Sequence, residues 1–133
     1  MRTTGLLGTV DLPGATASVP LARAYVRGAL LASGRRMADD VELLTGELVA
    51  NAVNHSDSGR VPGGVVRVRL FDDGRTVRVE VTDAGPAVPL PPVPLQVDPL
   101  SENGRGLWLV RSLSSDWGWE AAGGLTVWFE WVP

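Results

Sequence analysis

Apolar residues recur along this chain with two different periods, and the changes between them mark its elements. From Leu21 to Leu31, positions 22, 25, 26, 29 and 30 keep helical spacing and leave Arg23 and Arg27 on a wetter side. Ser18-Val19-Pro20 resembles a helix start, with Ser as cap and Pro in the first turn, and Ser33-Gly34 ends the element. A second run, Val41 to Val53, is apolar at most positions and contains no Pro. Asp39-Asp40-Val41-Glu42 opens it with a capping-box pattern, Asp39 to Glu42. Apolar nearly all round, it has the pattern of a buried helix. Val65 to Phe71 then alternates Val66, Val68 and Leu70 against Arg67 and Arg69, and Thr76 to Thr82 alternates through Val77, Val79 and Val81. Asp72-Asp73-Gly74-Arg75 between them is a hairpin turn. One face of the hairpin is apolar and the other bears Arg and Glu, so helices should cover one side of the sheet only.

The pattern breaks from Ala84 to Gly104, which holds Pro86, Pro89, Pro91, Pro92, Pro94 and Pro99 and follows neither period. A loop this long inside a compact domain is either disordered or functional. Helical spacing resumes at Leu107, Val110, Arg111 and Leu113. Trp117 to Ala121 reads as a strand, Gly123-Gly124 as a tight turn, and Leu125 to Trp131 as a closing strand with Val127, Phe129 and Trp131 on one face. At the other end, residues 1–14 carry Gly5, Gly8, Pro13 and Gly14 and read as a flexible segment or an edge strand; Ala15 to Val19 reads as a short strand. The layout predicts an α+β two-layer sandwich: a mixed, mostly antiparallel sheet with helices on one face, as a single domain over residues 15–133.

Composition narrows the function. A hydrophobic content of 44% with 20% charge, in 133 residues, is that of one globular domain. The absence of cysteine excludes a disulfide framework or a thiolate metal site and suits the cytosol. No stretch approaches the roughly 18 apolar residues of a membrane span. The N-terminus lacks the layout of a signal peptide, so a cytoplasmic protein without membrane contact is expected. All 12 basic residues are Arg, which removes a P-loop lysine, a Schiff-base lysine and a kinase-type strand lysine together. Any phosphate must be held by backbone amides, Arg or a metal. A net charge of -3 and an isoelectric point near 5.0 argue against direct nucleic-acid binding.

Three stretches carry candidate chemistry. Glu47, Asn51 and His55 lie four apart and form one polar stripe on the second helix. An Asn carbonyl oxygen is a hard ligand suited to Mg²⁺, and a Glu one turn earlier could take a proton from a hydroxyl nucleophile. The alternative is a helix whose Glu and Asn satisfy neighbouring backbone groups. Asp83-Ala84-Gly85 places an acid and a Gly directly after a strand, where the acid can accept from an amine and the Gly admits a flat ring; a plain turn is the competing reading. Gly104-Arg105-Gly106-Leu107 is a glycine-flanked helix start, a place where unpaired N–H groups bind phosphate, with Arg105 adding a fork of donors. His55, the sole histidine, reads as a capping or packing residue.

In this order the three stretches resemble the boxes of the GHKL ATP-binding superfamily. Glu47-Leu48-Val49-Ala50-Asn51-Ala52-Val53-Asn54-His55 is similar to its N-box, Asp83-Ala84-Gly85 to its first glycine box, and Gly104-Arg105-Gly106-Leu107-Trp108-Leu109-Val110 to its second. With Gly123-Gly124-Leu125-Thr126-Val127-Trp128-Phe129 near the end, the likeness is to the small anti-sigma-factor serine/threonine kinases. The resemblance implies the Bergerat fold and a histidine-kinase-like ATPase domain. Asn51 would bind Mg²⁺, Asp83 with Gly85 would meet the adenine of ATP, and Gly104, Arg105, Gly106 and Leu107 would wrap the phosphates. Thr126 would hydrogen-bond near the adenine, Glu47 would be the general base, and residues 86–103 would be the ATP lid. The implied partners are an anti-sigma-factor antagonist as substrate and a sigma factor, with a homodimer left open. Ala87 after Pro86 departs from the family's Asp-x-Gly-x-Gly pattern, so a nucleotide-dependent binding module that sequesters its partner without phosphoryl transfer is the second reading. A detached histidine-kinase catalytic domain is disfavoured, since the sole His lies inside the N-box.

Overall fold

The computed structural model describes residues 5–35, 38–55, 63–84, 105–121 and 124–133. Three helices and five strands follow in the order β1 (Leu6–Pro13), α1 (Ser18–Ala32), α2 (Asp39–His55), β2 (Val65–Asp72), β3 (Val77–Asp83), α3 (Arg105–Leu113), β4 (Asp116–Ala121) and β5 (Leu125–Trp131). The sheet order is β1-β2-β3-β5-β4, and every pair of neighbours is antiparallel, where a mixed sheet was expected. The α+β sandwich itself is as the sequence predicts.

The strand alternation sets which face is covered. Val66, Val68 and Leu70 of β2 and Val77, Val79 and Val81 of β3 are buried on one side, with Phe129 of β5 beside them. Helix α2 lays Val41, Leu44, Leu48 and Val49 on that side and also packs against α1 and α3. Each such side chain contributes about 1.5–3 kcal/mol relative to leaving it in water, so this layer is where the domain's stability resides. Alpha1 adds Ala22, Val26 and Leu30, and α3 adds Val110.

No described helix lies on the opposite face, which holds a polar network instead. There the Arg78 guanidinium donates to Glu80 at 2.9 Å and to Glu130 at 3.0 Å, and stacks 4.1 Å from the centre of the Trp128 ring. Trp128 in turn closes on Gly118, where a Cβ would come within 2.8 Å of the indole. Glu80 is thereby buried with a cation beside it, as a buried carboxylate requires. The alternation showed these residues as a wet face; it could not show that they cover one another.

Three local expectations are corrected and one open choice is decided. Of the flexible segment and the edge strand, residues 6–13 form the edge strand, because β1 pairs along β2 from Leu6↔Phe71 to Pro13↔Val65. Its period is hidden by a register shift between Leu6 and Gly8, and Gly8 is the residue that fits because the Tyr25 hydroxyl occupies the place of its Cβ. Ala15 to Ala17 turns into α1, to which Ser18 and Val19 already belong, so no strand lies there. Ser18 does not cap α1; its hydroxyl donates to the Pro13 carbonyl and so ties the helix start to the end of β1. Asp39 stands inside α2, and the Glu42 N–H donates to the Ala38 carbonyl at 3.0 Å, so the residue before the helix is an alanine with no side chain to cap it and Asp39 is not the cap.

The far end of α1 is closed by a Schellman motif. Gly34, at φ +97°, donates to Leu31, and the Arg35 N–H reaches back to Leu30. This turn aims the Arg35 side chain at Asp72, which it grips with two prongs, one of them 3.0 Å long. Asp72 also accepts from the Gly74 N–H at 2.8 Å, so one carboxylate holds both the helix end and the β2–β3 turn. The Arg35 hydrogen bond, opposed by burial, holds the Asp72 carboxyl below the usual carboxylate range. A group whose acidity is strengthened by folding stabilises above its unfolded-state pKa, and that increment is lost as pH falls through the folded-state value. Asp72→Asn should therefore cost about 1–3 kcal/mol in urea unfolding at neutral pH. The gap to wild type should close on acidification; a gap unchanged down to strongly acidic pH would contradict the assignment.

Candidate functional site

Alpha2 carries the polar stripe, and its burial is graded. Leu44, Thr45, Leu48, Val49, Ala52 and Val53 are buried, whereas Leu43, Glu47, Ala50 and Asn51 are half-buried and Asn54 is exposed. Residues 43, 47, 50, 51 and 54 share one side of a helix of 3.6 residues per turn. The stripe is thus a margin open to water rather than part of a helix buried all round. No hydrogen bond to another described residue engages the Glu47 or Asn51 side chain, and burial does not force one on them. Thr45 differs: it is buried and its hydroxyl back-bonds to the Val41 carbonyl at 2.7 Å.

Asp83 is the last residue of β3 and only 7% exposed. It follows Val77, Val79 and Val81 at a spacing of two, so it faces the helix-covered side. Its register partner is Leu125, the first residue of β5. Among the described residues no buried side-chain nitrogen or oxygen lacks a hydrogen-bond partner. Gly124 reaches β5 at φ +148° with its α-carbon pressed on β3; a Cβ there would stand 2.4 Å from the Asp83 carbonyl oxygen. A glycine is required at that approach.

Thr126 does not reach this place. It is the register partner of Thr82, on the opposite face of the sheet from Asp83, and the two hydroxyls hydrogen-bond at 2.8 Å. Strand alternation is the cause: a step of one residue from Leu125 reverses the side chain. The residue that β5 offers on Asp83's side is Leu125, which the sequence reading passed over. Its signal was the predicted inward set Val127, Phe129 and Trp131, whose period of two extends back to 125.

The second glycine box lies where a helix begins, since α3 starts at Arg105. Arg105, Gly106 and Leu107 therefore form its first turn, whose backbone N–H groups have no partner within the helix. Gly85, Gly104 and residues 86–103 lie outside the described residues, as do the side chains at 55 and 105–108. Alpha2, which bears Glu47 and Asn51, packs against both β3, which ends at Asp83, and α3, which starts at Arg105.

The described residues thus offer a carboxylate and a hard oxygen donor one turn apart on a water-facing margin of α2, a buried acid at the end of a strand that packs on α2, and a third helix packed on α2. No described helix is long and apolar enough to cross a membrane. A family model for the histidine kinase-like ATPase domain matches residues 12–131, which takes in every element from α1 to β5 and the last two residues of β1. No curated protein matches the chain.

Proposed function

The chain belongs to the histidine kinase-like ATPase domain family, an ATP-binding one, and on that premise we propose that it is a Mg·ATP-dependent serine/threonine protein kinase of the anti-sigma-factor type. Its substrate in this reading is an anti-sigma-factor antagonist, with a sigma factor as a second partner, and its action is on transcription. The observation that carries the reading is the pairing of Glu47 and Asn51 one turn apart on the half-buried side of α2. The donor set fits the nucleotide's metal, because Mg²⁺ keeps several waters and takes one or two protein oxygens together with phosphates. Asn51 would supply such an oxygen. Bound Mg²⁺ would neutralise charge on the phosphates.

The chain's own residues would divide the remaining tasks. Glu47 would accept the proton of the substrate hydroxyl as its oxygen bonds to the terminal phosphorus and the bond from that phosphorus to the bridging oxygen breaks, releasing ADP. Asp83 would accept from the adenine amine, and its burial would sharpen that contact. The first-turn amides of α3 would donate to the phosphates, in a chain with no lysine to do so.

The test is a calorimetric titration with ATP and Mg²⁺, followed by transfer of labelled phosphate to a cognate antagonist. Binding is expected, and Glu47→Gln should keep it while lowering transfer roughly 100-fold or more, within the range for loss of a general base. Equal transfer by Glu47→Gln would exclude that role. The Pro86-Ala87 departure favours one alternative, a module that binds its partner under nucleotide control without transfer. A nucleotide-dependent complex that never yields phosphoprotein would select it.

A further inference from the structure

Asp83 and Leu125 form the last rung between β3 and β5, on the helix-covered side, and both are buried. The next rung inward on that side is Val81 and Val127. The hydroxyls of the rung between them, Thr82 and Thr126, point the other way and satisfy each other at 2.8 Å. On Asp83's side β5 therefore presents Leu125 and Val127, two apolar side chains. The backbone leaves Leu125 little freedom to withdraw, since Gly124 before it is pressed on the Asp83 carbonyl oxygen, at 2.4 Å from where a Cβ would stand.

Resting on the reading that Asp83 accepts from the adenine amine, we propose that Leu125 determines base specificity. It forms an apolar wall beside the carboxylate. Adenine offers Asp83 one exocyclic donor and sets beside it only a ring-nitrogen acceptor, which costs less to strip of water against such a wall than a carbonyl or an amine does. Guanine carries both a carbonyl and an amine on the corresponding edge, and one of them would be stripped of water against Leu125 without a partner. The wall thus selects adenine by penalising the alternative, while Asp83 supplies the attraction.

Binding of ATP and of GTP, each with Mg²⁺, is measured on the full chain as wild type, Leu125→Thr, Leu125→Ala, Thr126→Val and Asp83→Asn, with thermal unfolding recorded for each. Leu125→Thr should narrow the preference for ATP over GTP roughly tenfold, and Leu125→Ala should weaken ATP roughly tenfold through lost contact. Thr126→Val should lower the unfolding midpoint and leave both affinities within about twofold, since its hydroxyl serves the other face. Leu125→Thr is the variant that decides the matter if Leu125→Ala does not fold. Wild-type preference in a folded Leu125→Thr, or loss of ATP by Thr126→Val, would overturn the proposal. If Asp83→Asn still weakens ATP in that event, the role of Asp83 stands and that of Leu125 alone falls; if Asp83→Asn changes nothing, both fall.

Discussion

Asn51→Ala is expected to abolish the Mg²⁺-dependent part of nucleotide binding while leaving the unfolding midpoint unchanged or slightly raised. Two independent terms lead there. Alanine is the better helix former by several tenths of a kcal/mol, and a half-buried side chain leaves no large cavity, so the fold should not suffer. A hard oxygen ligand, by contrast, acts on a charged complex, where one such contact is worth about 1.5–3 kcal/mol, or roughly 10- to 150-fold in affinity. Titrations with and without Mg²⁺ separate the two, because only the metal-dependent increment should vanish. A variant that melts several degrees lower would instead assign Asn51 to structure and return the stripe to its plainer interpretation.

Gly124→Ala should harm fold and site together. The added methyl group would stand 2.4 Å from the Asp83 carbonyl oxygen, 3.6 Å from its carbon and 3.7 Å from the Ala84 carbonyl carbon. These are backbone atoms, so no side chain can rotate away, and φ at +148° is costly for any residue with a Cβ. Strain of this kind costs about 1–3 kcal/mol. The relief available is to push the end of β3 away from β5, which moves Asp83. Urea unfolding and ATP titration should therefore both shift, and the loss of ATP affinity should exceed that of a surface Gly→Ala control such as Gly28→Ala, whose Cβ would meet nothing within 4 Å. Stability lost with ATP affinity intact would show that Asp83 is not held by this contact.

The parts of the chain that read correctly are those where one rule acts alone. The β2–β3 hairpin was legible because strict alternation, an Asp-Asp-Gly turn and a one-sided charge pattern agree; Gly74 sits at φ +93° and Asp73 accepts from Arg75 and Thr76. Beta1 was legible only as one of two readings, because the glycines around it read as punctuation, whereas Gly8 is there for a tyrosine beside a register shift. The depth of Glu47 and Asn51 was overestimated because an apolar composition round a helix does not say which neighbours arrive to cover it. Thr126 illustrates a different failure. A motif carried over by position fixes a residue along a strand to within one place, and one place is enough to put it on the wrong face.

The seating of β1 has a kinetic consequence. Beta2 and β3 are joined through residues 73–76 and can zip together locally, whereas Pro13 meets Val65 and Leu6 meets Phe71 only after both intervening helices have been threaded between them. Closing so long a loop delays contact formation far more than it weakens the finished state. The pairing of β1 with β2 thus closes the longest loop of any pairing in the sheet. Since the opening of α1 hangs from the end of β1 through Ser18 and Pro13, that helix is fully moored only when this long-range pairing is complete.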